Sequence, residues 1–153
     1  LDIVLENNIQ TKIKHIDVQD CTRSLLAMEL WINEGTEIDL SDQLNIESGD
    51  IHRMAETANW LAYSLRELSR LLGRIDLIKE LDDLRQRIIY GIKEELIDLV
   101  KIKGIGRVRA RRLYRNNIKT RQDLAATSVN QLAAIDKIGM TVANNIKSQL
   151  KVR

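Results

Sequence analysis

The chain has 153 residues, 44% of them hydrophobic and 3% aromatic, with no Phe and no Pro, which is ample for a packed core and excludes a disordered tail. A single cysteine, Cys21, rules out an internal disulfide, and with only His15 and His52 no Cys/His zinc cluster can be assembled. The formal charge is +2, and no apolar run approaches the roughly 20 residues that cross a bilayer, so the expectation is a protein with no membrane partner, in a reducing, cytoplasmic compartment.

That charge conceals an asymmetry. Residues 1–96 carry 11 Lys/Arg against 19 Asp/Glu, whereas residues 97–153 carry 13 against 3. A polycationic segment points to a polyanion such as nucleic acid, because neutralised phosphates release counterions. Solubility alone is the competing explanation.

Leu, Ile and Ala dominate the apolar residues, predicting an all-α fold. Apolar spacing predicts a buried helix over 20–34 ended by Gly35, then a short helical turn and a loop over 36–48. A long amphipathic helix follows, opened by Ser48 as a cap with Asp50 at the positive end of the dipole, and closed near Leu72 by Gly73. A further helical stretch spans 75–100, with Gly91 as a kink or close-packing point. Thr120 with Asp123 and Ser128 with Gln131 have the spacing of capping boxes, so the tail is expected to be short helices joined by tight turns. The charge reversal suggests a boundary near residue 97, giving regions 1–97 and 98–153. The chain starts at Leu1, not Met, in sequence that reads as mid-domain, and is expected to be a piece of a larger protein.

On a helical wheel from Ile51, at about 100° per residue, Met54, Ala55, Ala58, Leu61, Ala62, Leu65, Leu68 and Leu72 share an arc about 140° wide, the expected core face. Trp60 falls about 180° away, with Arg53, two turns earlier, within about 20° of it and roughly 10 Å along the axis. Indole and guanidinium planes both stack on bases, so the pair is a candidate gripping site for a single strand. Equally open is that Trp60 packs on a neighbouring helix while Arg53 pairs with Glu56 or Glu67.

Val100–Tyr114 reads V-K-I-K-G-I-G-R-V-R-A-R-R-L-Y, a helix-hairpin-helix pattern. Gly104 and Gly106 allow a tight turn, Ile105 plugs it into the core, and Ala110 lets the helices approach. The free N–H groups that open the second helix form an anion site for a phosphate, surrounded by Lys101, Lys103, Arg107, Arg109, Arg111, Arg112 and Arg115. Thirty-three residues on, I-D-K-I-G-M-T-V-A repeats the plan with Ile138, Gly139, Val142 and Ala143, but Lys137 replaces the first glycine. This second hairpin is expected to be a structural partner, with Lys137, Gly139 and Lys147 as weaker backbone contacts.

The segments L-W-I-N-E, G-D-I-H-R-M-A-E-T-A-N-W-L-A-Y-S-L and Y-G-I-K-E-E-L, followed by G-I-G-R-V-R-A-R-R-L-Y, resemble the carboxy-terminal half of the archaeal Hjm-type superfamily-two DNA helicases over nearly the whole chain. The resemblance implies a helical-bundle ratchet domain over 1–97 and a small double helix-hairpin-helix domain over 98–153. It implies stacking roles for Arg53 and Trp60, and an arginine stretch, Arg107, Arg109, Arg111 and Arg112, that couples DNA binding to a motor. It further implies a parent that is an ATP-dependent 3′-to-5′ helicase acting at forks and junctions, nucleoid-associated, with forked or single-stranded DNA, its own motor lobes and other repair or replication proteins as partners. No G-x-x-x-x-G-K-[ST] loop occurs, so no cofactor is expected in this chain, and ATP and Mg²⁺ belong to the absent motor lobes.

Two other functions compete with this one. A base-excision glycosylase of this hairpin class would carry a lysine where Val108 stands and an aspartate after the second hairpin, where no acidic residue occurs. A non-enzymatic repair scaffold would use the basic module on duplex DNA and the acidic half as a protein interface.

Overall fold

The computed structural model describes residues 18–151, and every regular element among them is helical. Helix α1 spans Val18–Ile32 and buries Ala27 and Trp31, one turn apart, against the first core. Past its end Glu34 takes a left-handed conformation (φ 69°), and the Gly35 N–H returns to the Leu30 carbonyl at 2.7 Å. Gly35 is needed there for proximity, since a Cβ on it would lie 2.8 Å from the Leu30 oxygen.

Residues 36–48 hold more helix than the expected single turn. Helix α2, Glu37–Leu44, is opened by a capping box in which Thr36 and Asp39 each satisfy the other's backbone N–H. Helix α3 runs Ser48–Leu71, and its N-cap is Glu47, without a side-chain cap bond. Ser48 is therefore the first residue inside the helix, not the cap expected of it.

The stretch expected to be helical from 75 to 100 is broken. Helix α4, Asp76–Tyr90, stops at Gly91, which is left-handed (φ 61°). A Cβ there would also meet the Trp31 ring at 2.6 Å, so Gly91 both ends the helix and admits the indole. A 3-10 turn at Glu94–Leu96 and the short helix α5, Ile97–Val100, follow. Next come α6, Arg107–Arg115, α7, Arg121–Ala126, α8, Val129–Ala133, and α9, Met140–Lys151. Thr120 and Ser128 form the expected capping boxes with Asp123 and Gln131.

The core face of α3 is rotated from the expected arc. Ile51, Ala55, Ala62 and Ser69 are buried, while Leu61, Leu65, Leu68 and Leu72 are more than half exposed. The reason is shape: Ala55, Ala62 and Ser69 recur every seven residues, and this small-residue track lets α4 lie close along α3. Arg66 and Arg85 fill the flanks of that contact by bonding to Asp82 and Asn59 respectively.

A second core, from Ile92 to Ile146, belongs to the tail and includes Leu96, Leu99, Ile105, Leu113, Leu124, Leu132 and Ile138. No helix among the described residues is long and apolar enough to cross a membrane.

Candidate nucleic-acid interface

Two features of this fold offer surface to a polyanion. On α3, the small residues turn one edge to α4 and leave the opposite edge outward. Trp60 stands on that outer edge with 64% of its surface exposed. Arg53 shares the edge with its side chain 78% exposed, and its ion pair is with Asp50 in the preceding turn, so neither Glu56 nor Glu67 holds it. With that exposure Trp60 is not sealed beneath another helix, and its carbonyl accepts the Ser64 hydroxyl at 3.0 Å.

The second feature is the pair of hairpins. Ile105 and Ile138 are each 1% exposed, and Ala110 and Ala143 are fully buried. In both, the isoleucine N–H bonds to the carbonyl three residues back (3.0 Å to Ile102, 2.9 Å to Ile135), and the alanine N–H bonds to the turn glycine (2.9 Å to Gly106, 3.0 Å to Gly139). Gly104 has φ 92° and Lys137 has φ 66°, so the lysine occupies the backbone conformation that the glycine supplies in the first copy. Gly106 caps α6 with no side-chain bond, so among the described residues no cap side chain occupies the opening N–H groups at the positive end of that helix.

The four arginines of the stretch do not share one destination. The Arg109 guanidinium ties the hairpins together, donating to the Gly104 carbonyl at 2.8 Å and the Lys137 carbonyl at 2.9 Å. Arg112 pairs with Asp136 at 3.1 Å. Arg107 and Arg111 turn toward the helical half. Arg107 donates to the Gly35 carbonyl at 2.7 Å and lies 5.1 Å over the Trp31 ring, and burial pulls its pKa down. Arg111 bridges Glu34 at 2.6 Å and Glu95 at 2.9 Å. Burial works against the Glu95 charge, but the Arg111 hydrogen bond and backbone bonding prevail, so its carboxyl sits below the usual range. Two arginines legible as phosphate ligands thus clamp the hairpin module to the end of α1.

Lys147 also turns inward, donating to the Leu124 and Ala125 carbonyls at 2.9 and 2.6 Å, where it meets the negative end of α7. Lys103 and Lys137 remain exposed at the two hairpin tips. Gln149 fixes the first tip by bonding to both the N–H (2.9 Å) and the carbonyl (3.0 Å) of Lys103. Sequence reasoning missed that clamp, since nothing in the spacing links residues 46 apart. It also missed Tyr63, one turn beyond Trp60 and 46% exposed, whose signal was its place beside an outward tryptophan. Val108 is exposed and apolar, so the glycosylase lysine position offers no amine.

Residues 2–91 match the family described as archaeal helicase, domain 4, and residues 96–152 match the SAM-like helix-hairpin-helix tandem. Among curated proteins the chain is similar to the ATP-dependent DNA helicase Hel308 of Methanocella arvoryzae, 42% identical over 122 residues, covering 80% of this chain and 16% of that protein. It is similar to Hel308 of Pyrococcus horikoshii, 37% identical over 129 residues, covering 84% of this chain and 18% of the relative. Hel308 of Thermococcus kodakarensis is 38% identical over 123 residues, covering 80% and 11%. The chain spans less than a fifth of the length of each of these relatives.

Proposed function

From the premise that this chain belongs to the archaeal Hel308-type helicase family, we propose that it is the DNA-gripping part of an ATP-dependent 3′-to-5′ helicase, holding a single strand of forked DNA by base stacking and phosphate contacts. The observation that carries this reading is the outward edge of α3. A solvent-facing indole and a guanidinium two turns away are spaced for about three stacked bases, and an indole left in water has an energetic reason to be covered. The hairpin module supplies the sequence-independent part, with the uncapped start of α6 and the exposed Lys103 and Lys137 receiving backbone phosphates. ATP and Mg²⁺ would act in motor lobes elsewhere in the parent, and repair or replication proteins remain proposed partners.

The test is affinity for single-stranded, forked and duplex DNA of equal length. Stacking requires unpaired bases, so single-stranded and forked DNA should bind more tightly than duplex. Trp60→Ala should weaken single-strand binding by about 1–3 kcal/mol. Equal binding of duplex and single strand, with no effect of Trp60→Ala, would reject the proposal.

A further inference from the structure

We infer that Tyr63, backed by Arg85, is a further base-stacking residue, and that it draws the strand off the line of α3 toward α4. The inference rests on the reading of Arg53 and Trp60 given above.

A strand following those two residues along α3 would next reach Glu67, seven residues beyond Trp60 and on nearly the same edge. Glu67 is a carboxylate engaged by Arg66 at 2.5 Å and Arg70 at 3.7 Å. A straight path therefore meets a carboxylate already paired with two arginines, and no aromatic ring on which a base could stack. The side path is different. Tyr63 lies about 60° round the helix from Trp60 and one turn on, which puts their Cβ atoms roughly 5–6 Å apart. That separation suits neighbouring nucleotides of one strand.

Tyr63 is not a packed core residue, being 46% exposed. The Arg85 guanidinium lies 5.0 Å over its ring, anchored by the Asn59 side-chain oxygen at 3.1 Å. Its nearest carboxylate oxygen, on Asp82, is 3.9 Å away, too long for a strong paired hydrogen bond. The arginine thus occupies one side of the phenol ring, with a quarter of its own side chain exposed, while part of the ring remains open to water. Asn59 also lines an adjoining cleft of about 460 Å³ with His52, Ala55, Glu56 and Ile89. The α3–α4 side therefore presents an aromatic ring and a cation beside a hollow, where the straight path presents no ring.

The 153-residue chain is titrated into labelled oligothymidine as wild type, Trp60→Ala, Tyr63→Leu, Tyr63→Phe and Arg85→Gln, with helical content and urea midpoint as folding controls. Tyr63→Leu is expected to weaken binding about tenfold and Tyr63→Phe less than about twofold, because stacking needs the ring and not the hydroxyl. Arg85→Gln, which keeps the hydrogen-bonding shape, should weaken binding about fivefold and lower the salt slope by about one. If Trp60→Ala binds weakly while Tyr63→Leu and Arg85→Gln bind like wild type, the inference is overturned and the earlier reading stands. If Trp60→Ala also binds like wild type, both fall. Should Tyr63→Leu fail to fold, Arg85→Gln decides alone.

Discussion

The Arg111 guanidinium holds Glu34 at 2.6 Å, across the junction between the hairpin module and the end of α1. The second oxygen of that carboxylate, Glu34 Oε1, is buried with no hydrogen-bond partner. Arg111 is thus the hydrogen-bonding partner of Glu34, with the Arg107 charge also nearby, and the Glu34 backbone is left-handed.

Removing the arginine should leave a largely buried, unpaired carboxylate. Arg111→Ala is expected to cost about 2–3 kcal/mol in urea unfolding, below the full cost of breaking a fully buried pair because both side chains keep some exposure. Arg112→Ala, whose pair with Asp136 is 43% and 59% exposed, should cost less than about 1 kcal/mol. Equal losses in the two variants would show that the junction contact is no stronger than a surface pair.

Gly91 and Gly104 both have positive φ, yet they should respond differently to a methyl group. At Gly91 the added Cβ meets the Trp31 ring at 2.6 Å, whereas at Gly104 nothing lies within 4 Å. Gly91→Ala combines backbone strain with overpacking and is expected to cost about 3 kcal/mol or more. Gly104→Ala carries the strain alone, about 1–2 kcal/mol. Thermal or urea unfolding of the two variants checks the order, and Gly104→Ala being the worse would contradict the packing seen around Trp31.

The hairpins and the Thr120 and Ser128 capping boxes were legible because each is encoded within four to seven consecutive residues. Thr36-Glu37-Ile38-Asp39 has the same capping spacing, so α2 was readable by the same rule. The rotation of α3 was not readable, because a wheel weighted by hydrophobicity follows the leucines, whereas close approach of α4 selects Ala55, Ala62 and Ser69. Nor could sequence separate Arg107 and Arg111 from Arg109 and Arg112. All four carry the same charge, and what turns Arg107 and Arg111 aside is Trp31, Glu34 and Gly35, more than 70 residues away in the chain.

Acid should loosen the helix starts once the pH falls below the ordinary carboxylate range. The carboxyls of Asp39 and Asp123 lie below the usual aspartate range, held there chiefly by the N–H of Thr36 for the first and of Lys119, then Thr120, for the second. A depressed folded pKa means that the stabilisation is complete above the ordinary carboxylate range and is lost as pH falls through the depressed values. Urea midpoints measured from pH 6 to pH 2 should fall, and the Asp39→Asn, Asp123→Asn double variant should fall less steeply. A double variant with an unchanged pH slope would assign the acid sensitivity to other carboxylates.

Salt dependence of DNA binding separates charge from architecture in the hairpin module. Arg109 spends its donors on the Gly104 and Lys137 carbonyls, so Arg109→Ala should loosen both turns and show itself mainly as lower stability. Lys103 and Lys137 sit exposed at the two tips, where each can neutralise a phosphate. Lys103→Ala and Lys137→Ala should each reduce the slope of log affinity against log salt by about one, with little change between single-stranded sequences. Lys137→Gly should show the same loss of slope while gaining up to about 1 kcal/mol of stability, since glycine adopts φ 66° without the strain a lysine bears there. If the tip variants leave the slope intact and Arg109→Ala flattens it without loss of stability, then Arg109, and not the tip lysines, meets the phosphate backbone.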